Sequence, residues 1–324
     1  MNARAPLSVV GTENSWENVH PDVIYVPQRF AGYPYWMVFT PYPLMNDQFE
    51  NPTLRASHDG INWERIAQVP EPLVPPPNEV DRHHADPEVV YYSETLYVIY
   101  LTIRKKTDEV TLNVMNCNND IKWTGPKTVR KDVGMVSPTI QVNGNVWHLW
   151  FIRYNMLGNS SELVHTQGSD LGSLEVDRRC NLVIPNHTLW HIDILKVGAG
   201  YEALAAAFPK RTDPTRTRLF HLESRDGLSF HLTRTTPLIK PSLFGWDNRM
   251  IYRSTFLKSM DGHYRIWYSA SSWGRHCGIG LLQGSLNSLS QPDFVPIGRV
   301  PSYISRLPEE VSGWLKYTLN HLLR

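Results

Sequence analysis

The chain has 324 residues, with 32 Lys and Arg against 31 Asp and Glu and a formal charge of +1. That balance argues against a dedicated nucleic-acid surface. No apolar run approaches the roughly 20 residues of a membrane span, and the opening MNARAPLSVVG lacks the apolar centre of a signal peptide, so cytoplasmic synthesis without export by that route is expected.

With 24 Pro, 20 Gly, 11 Trp and 15 Tyr, the composition favours many short strands joined by turns. The first unit is HPDVIYVPQRFAGYPYWMVFT followed by ENPTLRASHDGINWERI: apolar run, turn, aromatic run, loop, polar hairpin. The same order returns in ADPEVVYYSETLYVIYLT, VSPTIQVNGNVWHLWFI, WHIDILKVGAGYEALAAAF and YRSTFLKSMDGHYRIWYSAS, each with its own hairpin. The units start near residues 19, 85, 136, 190 and 252. A period of roughly 50–65 residues suits four-stranded antiparallel blades, which predicts an all-β, five-bladed β-propeller over 1–305 with the first strand of each unit innermost. SHDGINW and SRDGLSF read as Asp-Gly turns between outer strands. The tail 306–324, LPEEVSGWLKYTLNHLLR, reads as a short amphipathic α-helix, with Pro308 and two glutamates at its start and Val311, Trp314, Leu315, Leu319 and Leu322 on one stripe. It would pack on the propeller or join two copies into a homo-oligomer. Cys117, Cys180 and Cys277 are an odd set without metal spacing and read as reduced, buried thiols.

Aligned on their starts, the inner strands open with His20-Pro21-Asp22, Asp86-Pro87-Glu88, Ser137-Pro138-Thr139, His191-Ile192-Asp193 and Arg253-Ser254-Thr255. Carboxylates crowded at the axis cost desolvation and mutual repulsion unless chemistry or a ligand uses them. The loops between second and third strands should open on the same face, bringing Glu50, Arg104, Lys105, Arg153, Lys210, Arg211 and Arg275 around a funnel. Such a basic rim fits an anionic glycan. Among the aromatic residues Tyr35, Trp36, Tyr42, Trp190, Trp246 and Trp273, the rim candidates for stacking on sugar are Trp190 and Trp273, while Trp36 reads as core. His20, His84 and His191, with Glu88 and Arg253, complete the expected substrate-binding set. No metal ligands are assigned, because adjacent His83 and His84 would point to opposite sides of a strand and no zinc spacing is present.

Five blades whose inner strands open with Asp-Pro or Pro-Asp resemble the five-bladed β-propeller glycosidases, the clan that includes glycoside hydrolase families 43, 32 and 130. The likeness is architectural and spans nearly the whole chain. It implies hydrolysis of a glycosidic bond by three carboxylates, with Asp22 as base, Asp86 as pKa modulator and Asp193 as acid. An ionised and a protonated carboxyl group facing one bond are what that cleavage needs. It also implies no required cofactor, with a hydrated structural calcium ion in the axial channel as an option. The third blade departs from the pattern with Ser137-Pro138, and the fourth with WHIDI where Glu-Gly-Pro would stand, so Glu50 and Glu88 become substitutes for the acid. The alternatives are a phosphorylase of the family 130 kind and a non-catalytic carbohydrate-binding propeller, such as a receptor-binding protein of a virus tail.

Overall fold

The computed structural model describes residues 6–12, 15–155 and 159–289. The 306–324 helix, with its expected packing on the propeller or pairing with a second copy, lies outside the described residues. Blade 1 is β1 (Asn18–Phe30), β2 (Tyr33–Pro41), β3 (Thr53–Ser57) and β4 (Trp63–Glu64). Blade 2 is β5 (Arg82–Tyr92), β6 (Thr95–Arg104), β7 (Glu109–Cys117) and β8 (Trp123–Val133), and blade 3 is β9 (Met135–Asn143), β10 (Val146–Asn155), β11 (Ser160–Gly168) and β12 (Arg178–Arg179). A two-residue strand, β13 (Asn181–Leu182), then joins the outside of blade 4, which comprises β14 (His187–Val197), β15 (Gly200–Pro209), β16 (Arg218–Ser224) and β17 (Ser229–Leu232). Blade 5 is β18 (Met250–Lys258), β19 (Tyr264–Ser271) and β20 (Cys277–Gly284), followed by one helical turn, α1 (Leu286–Leu289). Each blade is antiparallel in chain order from the inside out, apart from the parallel β13 edge. The inner strands pack in a closed ring, β1 against β5, then β9, β14, β18 and back to β1. The five units and their starts are therefore those legible in the sequence, within three residues of the inner-strand starts. No helix among the described residues is long and apolar enough to cross a membrane.

Blade 5 has three strands of its own, and the N-terminal segment covers its open edge. Pro6 bridges Gly280, the Leu7 amide donates to the Ile279 carbonyl at 2.7 Å, and Val9 is buried against Val23, Met37, Phe39, Trp267 and Ile279. An edge strand left bare would be a template for wrong pairing, and this segment removes it while joining blades 5 and 1.

Apolar faces of neighbouring blades meet in the core. Trp36, Trp150 and Trp267 sit on the second strands of blades 1, 3 and 5 and are among the largest fully buried side chains. Two of them also explain the Ser-x-Asp-Gly turns. In blade 1 Ser57 Oγ accepts from the Gly60 amide at 2.8 Å, and the Gly60 carbonyl accepts from Trp267 Nε1 of blade 5 at 2.9 Å. In blade 4 Ser224 Oγ accepts from the Gly227 amide at 2.9 Å, and the Gly227 carbonyl accepts from Trp150 Nε1 of blade 3 at 2.7 Å. Both glycines have φ of +72°, and a Cβ there would lie 3.1 Å and 2.9 Å from the two indoles. These turns are hairpins, as read from the sequence, and clamps between blades as well. All three cysteines are free and buried.

Buried Glu202 ties blade 4 to blade 5. It accepts hydrogen bonds from Tyr264 Oη at 2.7 Å and Lys258 Nζ, and pairs with His221 Nε2 at 3.1 Å. Burial opposes its ionisation, and these partners outweigh burial and hold its carboxyl at about 2. A depressed folded-state pKa gives stability that is complete above the unfolded value and is lost as pH falls through the folded one. The stability difference between the native protein and Glu202→Gln, read from urea midpoints, is therefore expected to be constant above about pH 5.5 and to shrink between pH 4.5 and 2. A difference independent of pH over that range would overturn the assignment.

Candidate active site at the funnel mouth

Every inner strand carries a β-bulge at its polar triplet, between Val19 and Asp22, Ala85 and Glu88, Val136 and Thr139, Leu189 and His191, and Ile251 and Ser254. In the three triplets with a central proline, the first residue is forced to positive φ: His20 at 53°, Asp86 at 47° and Ser137 at 50°. A residue before proline normally avoids that region, and holding one there costs of order 1–3 kcal/mol. The kink separates two jobs. Of the first residues, His20, Asp86, His191 and Arg253 face the funnel while Ser137 bonds to the Ile192 backbone of blade 4, and third residues turn to the next blade.

The third residues form a belt. Asp22 Oδ2 accepts from the Val89 amide at 2.7 Å, Glu88 Oε1 from Ile140 at 2.9 Å, Thr139 Oγ1 from Ile194 at 3.2 Å and Asp193 Oδ2 from Phe256 at 3.2 Å. Thr255 Oγ1 closes the circle by donating to Asp22 Oδ1 at 3.0 Å. Thr139 Oγ1 also donates to Asp193 Oδ1, and Arg253 Nη2 to Glu88 Oε2. Both oxygens of Asp22, Glu88 and Asp193 thus accept hydrogen bonds. Burial raises all three carboxyls, and the neighbouring carboxylates add to the rise at Glu88 and at Asp193, the latter to about 7.

The first residues build the site above it. Asp86 Oδ1 lies 3.3 Å from His20 Nε2, 3.6 Å from His191 Nδ1 and 3.9 Å from Arg253 Nη1. Burial works against ionisation of Asp86, yet the facing imidazoles, Arg253 and the Ser137 amide at 2.7 Å hold its carboxyl at about 2. Burial lowers His20 to about 4 and His191 to about 3, so the imidazoles are neutral beside an ionised carboxylate. His20 Nε2, Asp86 Oδ1 and both nitrogens of His191 are buried without a hydrogen-bond partner. Leaving such atoms unmatched is expensive. The one donor atom offered by each of the three residues lies within 4.8 Å of the others. Two imidazoles and a carboxylate suit a divalent transition ion. Thr40 Oγ1, 3.2 Å from His20 Nδ1, fixes the ring so that Nε2 faces the centre.

Around this triad stand three groups. Glu50 reaches His20 Nδ1 at 3.5 Å and His83 Nε2 at 3.8 Å, and burial, with Asp86 and Asp47 nearby, raises it well above the ordinary carboxylate range. The Tyr252 ring lies 4.9 Å from that of His20 and 4.5 Å from that of His191, and burial keeps its phenol protonated.

Of the residues proposed from sequence, His20, Glu50, Asp86, His191 and Arg253 come together, while Asp22, Glu88 and Asp193 converge separately in the belt. His84 turns into the blade 2 wall, with Nδ1 on Thr102 and Nε2 on the Pro75 carbonyl. Arg104 is paired with Glu79, Asp81 and Glu109, Lys105 with Asp47, and Arg153 with Asp132, Asp177 and Glu162. These charges are matched within the chain, so the basic rim that suggested an anionic glycan is neutralised at those positions. Trp190 is half-buried, edge-on to Tyr154 and His191. Trp246 is buried and Trp273 is exposed, and Arg275 lies on the rim with Nη2 donating to the Leu44 carbonyl at 3.4 Å. His83 and Tyr252 were missed as site residues. The proline two residues after Ala85 was the available signal, since a bulge there carries His83 to the side of Asp86.

No family model matches the chain. The curated A type blood N-acetyl-alpha-D-galactosamine deacetylase of Flavonifractor plautii is 26% identical over 312 residues, covering 78% of this chain and 40% of the relative's own length. Among solved structures, an N-acetylgalactosamine deacetylase from F. plautii in complex with blood group B trisaccharide superposes with a TM-score of 0.78 at 21% identity, over 89% of this chain and 96% of that one. A xylan beta-1,4-xylosidase from Bacillus Halodurans C-125 gives 0.64 at 11% identity, over 86% of this chain and 54% of that one. A thermostable family-43 glycoside hydrolase gives 0.62 at 11%, over 86% and 92%. The chain therefore has the propeller fold shared by these carbohydrate-active hydrolases, including the glycosidases it resembles by sequence pattern.

Titrating metal-stripped protein with Zn²⁺ by calorimetry is expected to show one strong site per chain. Asp86→Asn should weaken it by more than about 100-fold and Thr40→Val by about tenfold, the scale of an orienting partner. Asp22→Asn should leave it unchanged. Equal binding by native protein and Asp86→Asn would remove the triad as the site.

Proposed function

We propose that this propeller hydrolyses the N-acetyl amide of a hexosamine carried on a glycan. The observation that carries the reading is the meeting of unpartnered His20 Nε2, Asp86 Oδ1 and His191 nitrogens beside the Glu50 carboxyl, raised by burial, and the Tyr252 phenol. The relative at 26% identity supports it, although the chain spans only 40% of that protein.

A divalent ion held by His20, Asp86 and His191 would polarise the amide carbonyl and lower the pKa of water beside it. A nitrogen-rich donor set favours an ion of the zinc class over calcium, which prefers oxygen. The other roles belong to the chain. Asp86 stays ionised and anchors both rings. Tyr252 Oη donates a hydrogen bond where negative charge develops on the carbonyl oxygen. Glu50, its carboxyl raised by burial, gives its proton to the departing amine nitrogen as the C–N bond breaks and water oxygen joins the acyl carbon; of the two protons that this water sheds, one restores Glu50 and the other leaves to solvent, so that acetate and a free amine result. Arg253, bonded to Glu88 and to the Pro138 carbonyl at 3.0 Å, supports Asp86 from below.

Asp22 and Asp193, the base and acid expected for glycosidic cleavage, have every oxygen committed to the belt, which leaves Glu50 and Asp86 as the carboxyl groups such a reaction would have to use. Of the rim cations that a phosphorylase could use for phosphate, Arg104, Lys105 and Arg153 are matched within the chain. With an oligosaccharide ending in N-acetylgalactosamine, the zinc-loaded protein is expected to release acetate and no new reducing ends. Asp86→Asn should lower turnover by about 100-fold or more, the scale of groups acting at the reacting centre, and Asp22→Asn by no more than a few-fold. Reducing ends without acetate would return the glycosidase reading, and saturable binding without either product would make the propeller a lectin-like module.

A further inference from the structure

We propose that the rim between blades 5 and 1 is a stacking platform for a second sugar ring, centred on Trp273, so that the preferred substrate is a hexosamine attached to a longer glycan. The inference rests on the deacetylase reading and adds a binding subsite outside the triad.

Ten tryptophans fall among the described residues, and Trp273 alone of them is exposed, at 62%. A large flat apolar face with a polar edge suits the C–H face of a pyranose. Trp273 lies on the loop between β19 and β20, which opens on the funnel face. The loop holds the ring firmly. The Trp273 amide donates to Asn248 Oδ1 at 3.1 Å, the Ser272 amide to the His276 carbonyl at 2.9 Å, and the Arg275 amide to the Ser272 carbonyl at 3.0 Å. The Arg249 guanidinium carbon lies 5.8 Å from the indole centroid and fixes its tilt.

The opposing loop of blade 1 is braced against this one. Arg249 Nη1 donates to Met45 Sδ at 2.9 Å, Arg275 Nη2 to the Leu44 carbonyl, and the Leu44 amide to Glu17 Oε2 at 3.4 Å. Leu44, Met45 and Arg275 all take left-handed backbone, at φ of 54°, 59° and 62°. Strain in non-glycine residues, of order 1–3 kcal/mol each, collects where a loop has been shaped for a ligand. The blade 1 loop then leads directly to Glu50, the acid beside the triad, so platform and reaction centre share one segment of backbone. Arg275, exposed beside the indole, supplies donors for the hydroxyl groups of the stacked ring.

The test compares an N-acetylgalactosamine-terminated trisaccharide with methyl N-acetyl-α-galactosaminide, using the zinc-loaded protein. The native protein should favour the trisaccharide. Trp273→Ala should lower kcat/KM on the trisaccharide by about tenfold, the scale of one aromatic contact, and leave the monosaccharide unchanged. Trp273→Tyr should restore most of the loss. Equal effects on both substrates, or none on either, would overturn the platform. Failure of the reaction itself is separable: if native protein releases acetate from neither sugar, calorimetry of trisaccharide binding decides. A Kd unchanged by Trp273→Ala would reject the platform, and about tenfold weakening, rescued by Trp273→Tyr, would uphold it.

Discussion

A circle of side-chain acceptors on neighbouring backbones holds the molecule's centre together. Asp22, Glu88, Thr139 and Asp193 each satisfy an amide of the next inner strand, and Thr255 returns the chain of bonds to Asp22. Inner strands of a propeller are splayed around an axis and cannot pair as a sheet. Their inward-facing amides would be buried without partners unless side chains met them. Short polar residues at one position per blade solve that problem. The cost is acidity: three carboxyl groups sit in one narrow channel with Arg253 as the cation bonded among them.

That arrangement fixes what the funnel can do. Arg253 reaches Glu88 with one nitrogen and points the other toward Asp86, so the belt and the triad share one positive charge. Burial raises the carboxyls of the belt, while the imidazoles, Arg253 and the Ser137 amide keep Asp86 ionised. The bulges make the separation possible. Without the kink at His20, Asp86 and Ser137, first and third residues of each triplet would project the same way, and belt and triad would merge into one crowded cluster.

The architecture was legible because repeats are a sequence-level signal: five recurrences of one pattern specify five similar units whatever their contacts. The polar triplets were legible as special for the same reason. Their division of labour was not, because it depends on positive φ at a residue before proline, a state that local preference argues against. The meeting of His20 with His191 was equally hidden, since 171 positions separate them in the chain and only closure of the ring brings blades 1 and 4 together across the axis. Rim charges misled for a simpler reason. Composition counts Arg104 and Arg153, and cannot show that each already faces carboxylates of its own chain.

The segment at residues 6–9 has a consequence for how the molecule comes into being. Its partners, Ile279 and Gly280, lie on the last strand of blade 5, so this segment must stay uncommitted until all five blades have been synthesised. Bringing together segments so distant in sequence is the slow kind of step in folding. Until it happens, four finished blades and a bare edge form an open crescent. Residence time in that state, rather than the strength of any blade, sets the exposure to mispairing.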